Sequence, residues 1–524
     1  MEASPSSSQS SQPNTKWWVF LIVSLGTLSV ALGITSIDIA IPTMMSSLGA
    51  SLDKIQWVLI GFMITRTVLI PSVGWLGGRI GDRNLFIYSM AFFIMGSLLC
   101  SISWSADSLV FFRIIQAVGA GPLIGVAMSI MFEAFPAHER GLAMGLFMTG
   151  WSIGPFFGPL LGAYLVENFD WRAIFYINIP FGLLSIAAAY LILPKKKAEE
   201  KRTPFDLLGF LTLTGGTVSL LLALSQGQEE GWGSQLIVGL FSAAIVLLAL
   251  FVAVELRSAN PFIELRFFRS LNFSLSNFII VFRVVGFRGT NFILSLFLQK
   301  ALHYTPIQAA IFLVPGAIIT GIVSPLAGIL SDRMSPRVPL FLGLVILAFT
   351  LYGLSTITIW TSMATIFFLI AVKSVGQSTI NAPLNTVALG TLPEGSARMG
   401  SGIIGLSRGL GEAFGITILT FLLERYTFLN IDSMTPLQGA RLPEAARYEV
   451  LSQIRSLLLH GGEFGTALED RAQSLLGFSL LNEAMTRAYN DLFLLIGAMF
   501  AGLIITVFFL GSGGKTAVES STAH

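Results

Sequence analysis

Apolar segments of membrane-spanning length recur along almost the whole chain, and they constrain its fold more than any other feature. A transmembrane helix needs roughly 20 predominantly apolar residues, and by that rule we count about fourteen such segments. Only 11% of the 524 residues are charged, whereas a soluble globular protein carries roughly 25%. The sequence therefore predicts an all-α, polytopic membrane protein of the cell membrane, with the lipid bilayer as a partner.

The charge and the residue types argue against several other classes of protein. The formal net charge is +2, which gives no electrostatic support for nucleic-acid binding. Cys100 is the single cysteine and the four histidines are scattered, so we predict neither a disulfide nor a metal site. Gly514-Lys515-Thr516 resembles the end of a phosphate-binding loop, but the earlier glycine of that loop would fall at Phe509. We expect no enzyme activity and no cofactor, so energy must come from an ion gradient, which we expect to be a proton gradient, or from the substrate's own gradient.

Two similar loops divide the chain into related halves. Gly74 to Arg83 follows the second apolar segment, and Gly328 to Arg337 follows the tenth. If two central segments are set aside, six remain on each side, which is a parallel-repeat plan known among transporters. The predicted organisation is a disordered tail 1–16, an N-terminal six-helix bundle 17–194, a cytoplasmic linker with two extra helices 195–270, a C-terminal six-helix bundle 271–511 containing an extracytoplasmic insertion 424–489, and a tail 512–524. In the insertion, Leu451, Ile454, Leu457 and Leu458 have helical spacing, which predicts one or two amphipathic helices.

Basic residues are concentrated in the loops on one side of the predicted bundle. Arg79 and Arg83 lie in such a loop, as do the lysines of 195–201 and then Arg333 and Arg337. The opposite loops carry acids and few bases. The positive-inside rule makes the basic side cytoplasmic, so both termini are predicted to be cytoplasmic.

A glycine stripe lies in the fifth apolar segment. Gly150, Gly154, Gly158 and Gly162 recur at every fourth position, so they share one side of a helix to which another helix backbone can come close. Pro155 and Pro159 beside it each remove an N–H, which a membrane helix tolerates when its neighbours satisfy the freed carbonyls. We interpret this segment as a packing hinge around which the other segments are arranged.

Several motifs in order along the chain resemble the major facilitator superfamily, in its fourteen-helix drug:proton antiporter branch (EmrB/QacA-like). They are Asp38 to Pro42 in the first segment, the loops 74–83 and 328–337, Phe112 to Gly121 in the fourth segment, Gly150 to Gly162 in the fifth, and Trp171 to Pro180 in the sixth. The resemblance covers nearly the whole chain. It implies two six-helix bundles with two extra central helices.

The resemblance also implies a function, with alternatives. The implied protein is a proton-coupled secondary active exporter, an antiporter of amphiphilic small molecules or drugs that works by alternating access. One alternative is an exporter or flippase of an anionic lipid, fatty acid or other anionic amphiphile. The other is a non-transporting receptor or scaffold. A periplasmic adaptor is an expected partner if the source cell has two membranes.

The gating residues implied by the motifs lie in the two loops and in the glycine stripe. They are Arg79, Asp82, Arg83, Asp332, Arg333, Gly154, Pro155 and Gly158. The first loop departs from the family pattern because Gly78 stands where an acid is usual, and Asp82 is the acid that could replace it. The alternative is that these loops are charged hairpins that only fix topology.

Ionisable residues inside apolar segments are the strongest functional signals, since each costs about 2.5–3.5 kcal/mol at the bilayer centre. Asp38 and Glu412 are the predicted proton-coupling acids, because burial disfavours the charged form of a carboxylate. Arg113 is predicted to pair with Asp38 or to line the proton path. The alternatives are a helix cap or ion pair for Asp38 and donation to backbone carbonyls for Arg113. For Glu412 the alternative is an ion pair with Arg408, four residues away on the same helix side.

Basic and amide side chains in other segments predict a substrate cavity. The predicted cavity residues are Arg66, Arg288, Lys373, Arg408, Gln116 and Asn381. Bases outnumber acids among the intramembrane candidates, so the substrate is expected to carry negative charge if these bases face the cavity. The alternative is that they pair with the buried acids or with carbonyls.

Overall fold

The computed structural model describes residues 15–194, 204–302, 304, 306–358, 360–393, 395–434, 451–452, 455–456 and 466–511. The described chain consists of helices and connecting turns and contains no strand. Thirteen of its helical segments are long and apolar enough to cross a membrane. Helix Arg140–Asn168, with 29 residues, supplies a further long apolar segment. The all-α polytopic prediction is confirmed.

The N-terminal half contains nine helices within its described residues. They are α1 (Thr15–Thr35), α2 (Ile37–Leu48), α3 (Leu52–Leu69), α4 (Val73–Ile80), α5 (Asp82–Ser101), α6 (Ala106–Ala134), α7 (Arg140–Asn168), α8 (Ala173–Tyr176) and α9 (Asn178–Ile192). A 3₁₀ turn at Ile70–Ser72 joins α3 to α4. It contains Pro71, whose missing N–H breaks the regular ladder at that point. The turn from α4 into α5 is made at Gly81, whose φ of 80° favours glycine.

The remaining helices form a central hairpin and a C-terminal half. They are α10 (Leu207–Glu230), α11 (Gln235–Arg257), α12 (Leu271–Leu296), α13 (Pro306–Arg333), α14 (Arg337–Leu354), α15 (Met363–Gly390), α16 (Ala397–Met434) and α17 (Thr466–Phe509). A π-helical turn, Phe297–Ala301, extends α12. Ser234 and Asp206 cap the starts of the hairpin helices α11 and α10 through their side-chain oxygens.

The two halves meet at two contact regions. Helix α7 packs along α13, and α16 packs against α3, α4 and α6. The central hairpin lies beside this junction, with α10 in contact with both α3 and α16. Ile64, Val68, Leu221, Leu224 and Ala413 form the buried apolar contact between these three helices. A ligand site shared by the two halves is thus bordered by α3, α6, α7 and α16.

The glycine stripe packs within the N-terminal half. A Cβ atom added to Gly154 would lie 2.3 Å from the Cβ of Ala31, and one on Gly158 would lie 1.9 Å from the hydroxyl of Thr35. Thr35 also donates a 2.8 Å hydrogen bond to the carbonyl of Gly154. The stripe therefore brings α7 against the end of α1, while Gly141 and Gly145 face α13 of the other half.

The predicted insertion differs from the structure in its helix boundaries. Helix α16 continues to Met434 and α17 already begins at Thr466. The segments 424–434 and 466–489 are thus continuations of the flanking helices. Leu451 is helical, whereas Ile454, Leu457 and Leu458 lie outside the described residues, as do 1–14, 195–203 and 512–524.

Candidate functional site

A carboxylate bridged by two arginines lies between the halves. Arg66 of α3 donates to one Glu412 oxygen at 3.0 Å, and Arg288 of α12 donates to the other at 2.9 Å. The side chains of Arg66 and Glu412 are 7% and 18% exposed. Because Arg66 belongs to the N-terminal half and Glu412 to the C-terminal half, this bridge spans the junction between the halves.

Small residues on α16 bring Glu412 close to Arg66. A Cβ atom on Gly405 would lie 2.3 Å from a methyl of Ile70, and one on Gly409 would lie 2.4 Å from a methyl of Thr67. These overlaps show that α16 approaches α3 at a distance that side chains would prevent. The glycines thereby place the next turn of α16, which carries Glu412, against the arginine of α3.

Two further arginines surround the bridge. Arg408 donates to the amide oxygen of Asn385 on α15 at 2.7 Å, although it lies one turn from Glu412. Arg283 is buried, and its charge interacts with those of Arg408 and Glu412. The side-chain carboxylate at the centre of the described cluster is thus outnumbered by four guanidinium groups.

A small cavity opens beside this cluster. It has a volume of about 50 Å³ and is lined from the N-terminal half by Arg66, Ile70, Ile124, Gly125, Met128, Phe147 and Trp151, and from the C-terminal half by Ser401, Gly405, Arg408, Gly409 and Glu412. Apolar and aromatic side chains form one wall, and charged groups form the other. This is the arrangement that an amphiphilic molecule requires, since its apolar body and polar head need different surroundings.

The other predicted cavity residues lie apart from this lining. Lys373 is buried on α15 and donates to the Asn291 amide oxygen at 2.5 Å. Gln116 is buried and donates to the Ser97 hydroxyl at 2.6 Å. Asn381 is buried on α15. Of the predicted set, the structure places Arg66 and Arg408 in the cavity wall and Arg288 on Glu412.

Arg113 lies inside the N-terminal half. It donates to the carbonyls of Val58 and Gly33 at 3.3 and 3.4 Å and to Gln116 at 2.6 Å. Its guanidinium also lies 4.0 Å from the ring centre of Phe62. These contacts hold the group among α1, α3 and α6. Asp38 belongs to α2, and its side chain lies outside the described residues, so its coupling role stays a prediction.

The cytoplasmic ends of the two halves are in contact. Asp332, at the end of α13, accepts hydrogen bonds from the backbone N–H groups of Gly141 and Leu142 at 2.7 and 2.9 Å. On the other side of the junction, Asp82 lies 3.4 Å from Arg398, and Ser401 donates to the carbonyl of Gly125 at 2.8 Å. The protein is therefore closed on its cytoplasmic side.

The remaining predicted gating residues are near these contacts or on α7. Arg79 stacks over Trp75 at 5.1 Å, and Arg83 donates to the carbonyl of Tyr190. Arg333 ends α13. Pro155 lies within α7, and its side chain is outside the described part of the structure. Whether any of these residues gates transport stays a prediction.

Sequence reasoning missed several polar partners of the predicted residues. Asn385, which accepts from Arg408, Asn291, which accepts from Lys373, and Arg398, which pairs with Asp82, are not in the predicted set. An amide in an apolar segment, or a single arginine in a basic loop, is a weak signal. For Asn385 and Asn291 the available signal was an amide on a segment that also carries an isolated base, since amides removed from water need partners.

Comparison with known proteins gives consistent results. Residues 23–416 match the family model described as Major Facilitator Superfamily. The multidrug export protein EmrB of Haemophilus influenzae is 29% identical over 492 residues, covering 93% of this chain and 94% of that protein. The fatty acid resistance protein FarB of Neisseria gonorrhoeae is 30% identical over 436 residues, covering 82% of this chain and 86% of that one. The crystal structure of the human organic anion transporter MFSD10 (TETRAN) is similar in fold, with a TM-score of 0.60, 15% identity, and coverage of 94% of this chain and 100% of that one.

Proposed function

Because this chain belongs to the major facilitator superfamily, we propose that it is a proton-coupled secondary active exporter of amphiphilic small molecules such as drugs. The observation that carries the proposal is the cavity between the halves, with an apolar wall and a charged wall. EmrB, a multidrug export protein, resembles the chain over nearly its full length, which supports a drug-like substrate.

The proposed transport cycle exchanges a proton for substrate as the halves rock. The closed cytoplasmic contacts at Asp332 and Asp82 would open to admit substrate and then close again. Asp38 is the proposed proton-binding acid, and Glu412 is a second candidate. Arg113 is proposed to position α1 and α3, whose carbonyls it contacts. A periplasmic adaptor belongs to this proposal only for a source cell with two membranes.

The test is transport in proteoliposomes under an imposed pH gradient. Wild-type protein should accumulate a permanently charged amphiphile. Asp38→Asn should abolish the part of this accumulation that depends on the pH gradient, while the thermal stability of the protein stays unchanged. Asp107→Asn is the matched control, because Asp107 is an exposed acid in the first turn of α6 and pairs with Lys54. Undiminished transport by Asp38→Asn would remove Asp38 from the mechanism, and gradient-independent transport by the wild type would contradict proton coupling.

A second candidate function is export of an anionic amphiphile. It is favoured by the four guanidinium groups around Glu412 and by the similarity to FarB, a fatty acid resistance protein. Decanesulfonate and decyltrimethylammonium have the same chain length and opposite permanent charges. Preferential uptake of decanesulfonate would support this candidate, and preferential uptake of the cation would exclude it.

A further inference from the structure

The Glu412 carboxylate occupies a position that an external anion could take. We infer that Glu412 is an internal stand-in for the anionic head group of the substrate, and that substrate displaces it from Arg66 and Arg288. This inference rests on the second candidate function, export of an anionic amphiphile. It makes Glu412 a residue that sets specificity and affinity and leaves the transported proton to another group.

The first support is the geometry of the bridge. Each oxygen of Glu412 accepts from a different arginine, one from each half, at 3.0 and 2.9 Å. A substrate carboxylate, sulfonate or phosphate presents oxygen atoms at similar spacing, so it can accept from the same two guanidinium groups. An anion at this point would keep the two halves bridged after Glu412 has left.

The second support is an excess of hydrogen-bond donors. Among the described residues, four buried nitrogen atoms of the cluster have no hydrogen-bond partner: the Nε atoms of Arg66, Arg283 and Arg408 and the Nδ2 atom of Asn385. Leaving buried donors unsatisfied costs about 1–3 kcal/mol each. Both carboxylate oxygens of Glu412 already accept bonds. Among the described protein groups donors therefore outnumber acceptors, and an oxygen-rich head group supplies further acceptors.

The third support is charge. Arg66, Arg283, Arg288 and Arg408 surround the single described carboxylate, and Lys373 is buried on the neighbouring helix α15. Helix α10, which also packs against α16, adds apolar side chains such as Leu221. Buried charges are costly unless they are balanced. One added anion reduces the imbalance, whereas a cationic substrate would increase it.

The fourth support is volume. The cavity holds about 50 Å³, which is room for one or two water molecules and not for an amphiphile. A head group can take the places of both Glu412 oxygens, between Arg66 and Arg288, only if the Glu412 side chain moves away. Binding of the substrate anion and pairing of Glu412 with both arginines are thus mutually exclusive.

The test is equilibrium binding to the purified full chain in detergent, by calorimetric titration with decanesulfonate and with decyltrimethylammonium. Glu412→Gln removes the competing charge and keeps the shape. We expect it to bind decanesulfonate about tenfold more tightly than the wild type does, with no gain for decyltrimethylammonium. Glu412→Asp keeps the charge on a shorter stem and should give a smaller gain, and Arg288→Gln should weaken decanesulfonate binding.

The outcomes separate this inference from the proposed function. If Glu412→Gln binds decanesulfonate no more tightly than the wild type, or gains equally for the cation, the inference is overturned. If Glu412→Gln does not fold, the opposite shifts expected for Glu412→Asp and Arg288→Gln decide instead. Loss of the pH-gradient dependence of transport in Glu412→Gln proteoliposomes would make Glu412 a proton carrier and also overturn the inference. Charge-selective binding without any gradient-driven transport would contradict only the proposed function.

Discussion

The two loops that close the cytoplasmic side have similar sequences and use different chemistry. In the second loop, Asp332 caps the backbone of α7 in the opposite half with two hydrogen bonds. In the first loop, Gly78 occupies the equivalent position. The contact across the halves is made there by the side chains of Asp82 and Arg398 at 3.4 Å. A repeated motif can thus keep its place in the fold while the interaction that closes the gate changes.

The packing around the two loops differs in the same way. A Cβ atom on Gly328 would lie 2.1 Å from the carbonyl oxygen of Gly141, so two backbones touch. A Cβ atom on Gly74 would lie 3.3 Å from the Cβ and 3.4 Å from the Cα of Met399, so it would fit with a small adjustment. The second loop is therefore a direct contact between two backbones, and the first leaves room for one more side-chain carbon.

Described residues at both ends of the central hairpin contact the first loop or the helix that pairs with it. The ring of Phe205, just before α10, lies 4.6 Å from that of Trp75 on α4. Beyond α11, the N–H of Glu264 donates to the sulfur of Met399 at 3.2 Å. These contacts connect the hairpin to α4 and to the start of α16. We expect the hairpin to stabilise closure on the side whose loop lacks the acid.

The largest expected effect comes from enlarging the contact between the two backbones. Gly328→Val should prevent the cytoplasmic ends of α7 and α13 from meeting and abolish transport, because backbone atoms of Gly141 cannot move aside. Gly328→Ala should already lose transport, and Gly74→Ala is its matched control and should retain most activity, since a Cβ atom there stays 3.3 Å from Met399. Transport in proteoliposomes measures these losses, and equal losses in the two alanine variants would contradict the difference drawn between the loops.

A smaller effect is expected from removing the helix cap. Asp332→Ala should destabilise the closed state by about 0.5–2 kcal/mol, the usual value of an N-cap side chain. Asp332→Asn should cost less, because asparagine also caps helices. The closed fraction can be measured from distances between spin labels on the two halves in a Cys100→Ser background. A cost for asparagine as large as that for alanine would show that charge, and not capping, is the important property.

The ion pair of the first loop should contribute less than the cap. The Asp82 and Arg398 side chains approach to 3.4 Å and are 13% and 17% exposed, so the cost of removing both charges from water offsets much of their attraction, and we expect a net contribution of about 0–1 kcal/mol. A double-mutant cycle with Asp82→Ala and Arg398→Ala, read from the same label distances, should give a coupling energy in that range. The coupling should also weaken as salt rises. A coupling energy larger than the cost of Asp332→Ala would contradict our expectation that the first loop contributes less to closure than the second.

The smallest effect is expected from restoring the missing acid. Gly78→Asp should stabilise the closed state by about 0.3–1 kcal/mol through the charge at the start of α16. The backbone permits the change because Gly78 is not among the glycines with positive φ, which are Gly49, Gly81, Gly231 and Gly395. A shift of the label distances toward the open form would indicate that this loop cannot use a cap.

Much of the fold could be predicted from the sequence, and the site only in part. The spans follow from local hydrophobicity, and their ends differ from the structure mainly where α16 and α17 continue beyond the apolar core. Arg66, Arg288, Arg408 and Glu412 could be singled out because charged residues are rare in apolar segments and costly there. Their pairing could not, because Arg408 is one turn from Glu412 and yet bonds to Asn385.

The sequence by itself determined the membrane spans, the two related halves and the small set of costly buried charges. These depend on composition and spacing, because the bilayer acts on each segment separately. Only the tertiary structure decided which charges meet. Arg66 and Glu412 are 346 residues apart, and their contact exists because glycines on α16 let two distant helices come close enough for a guanidinium to reach a carboxylate.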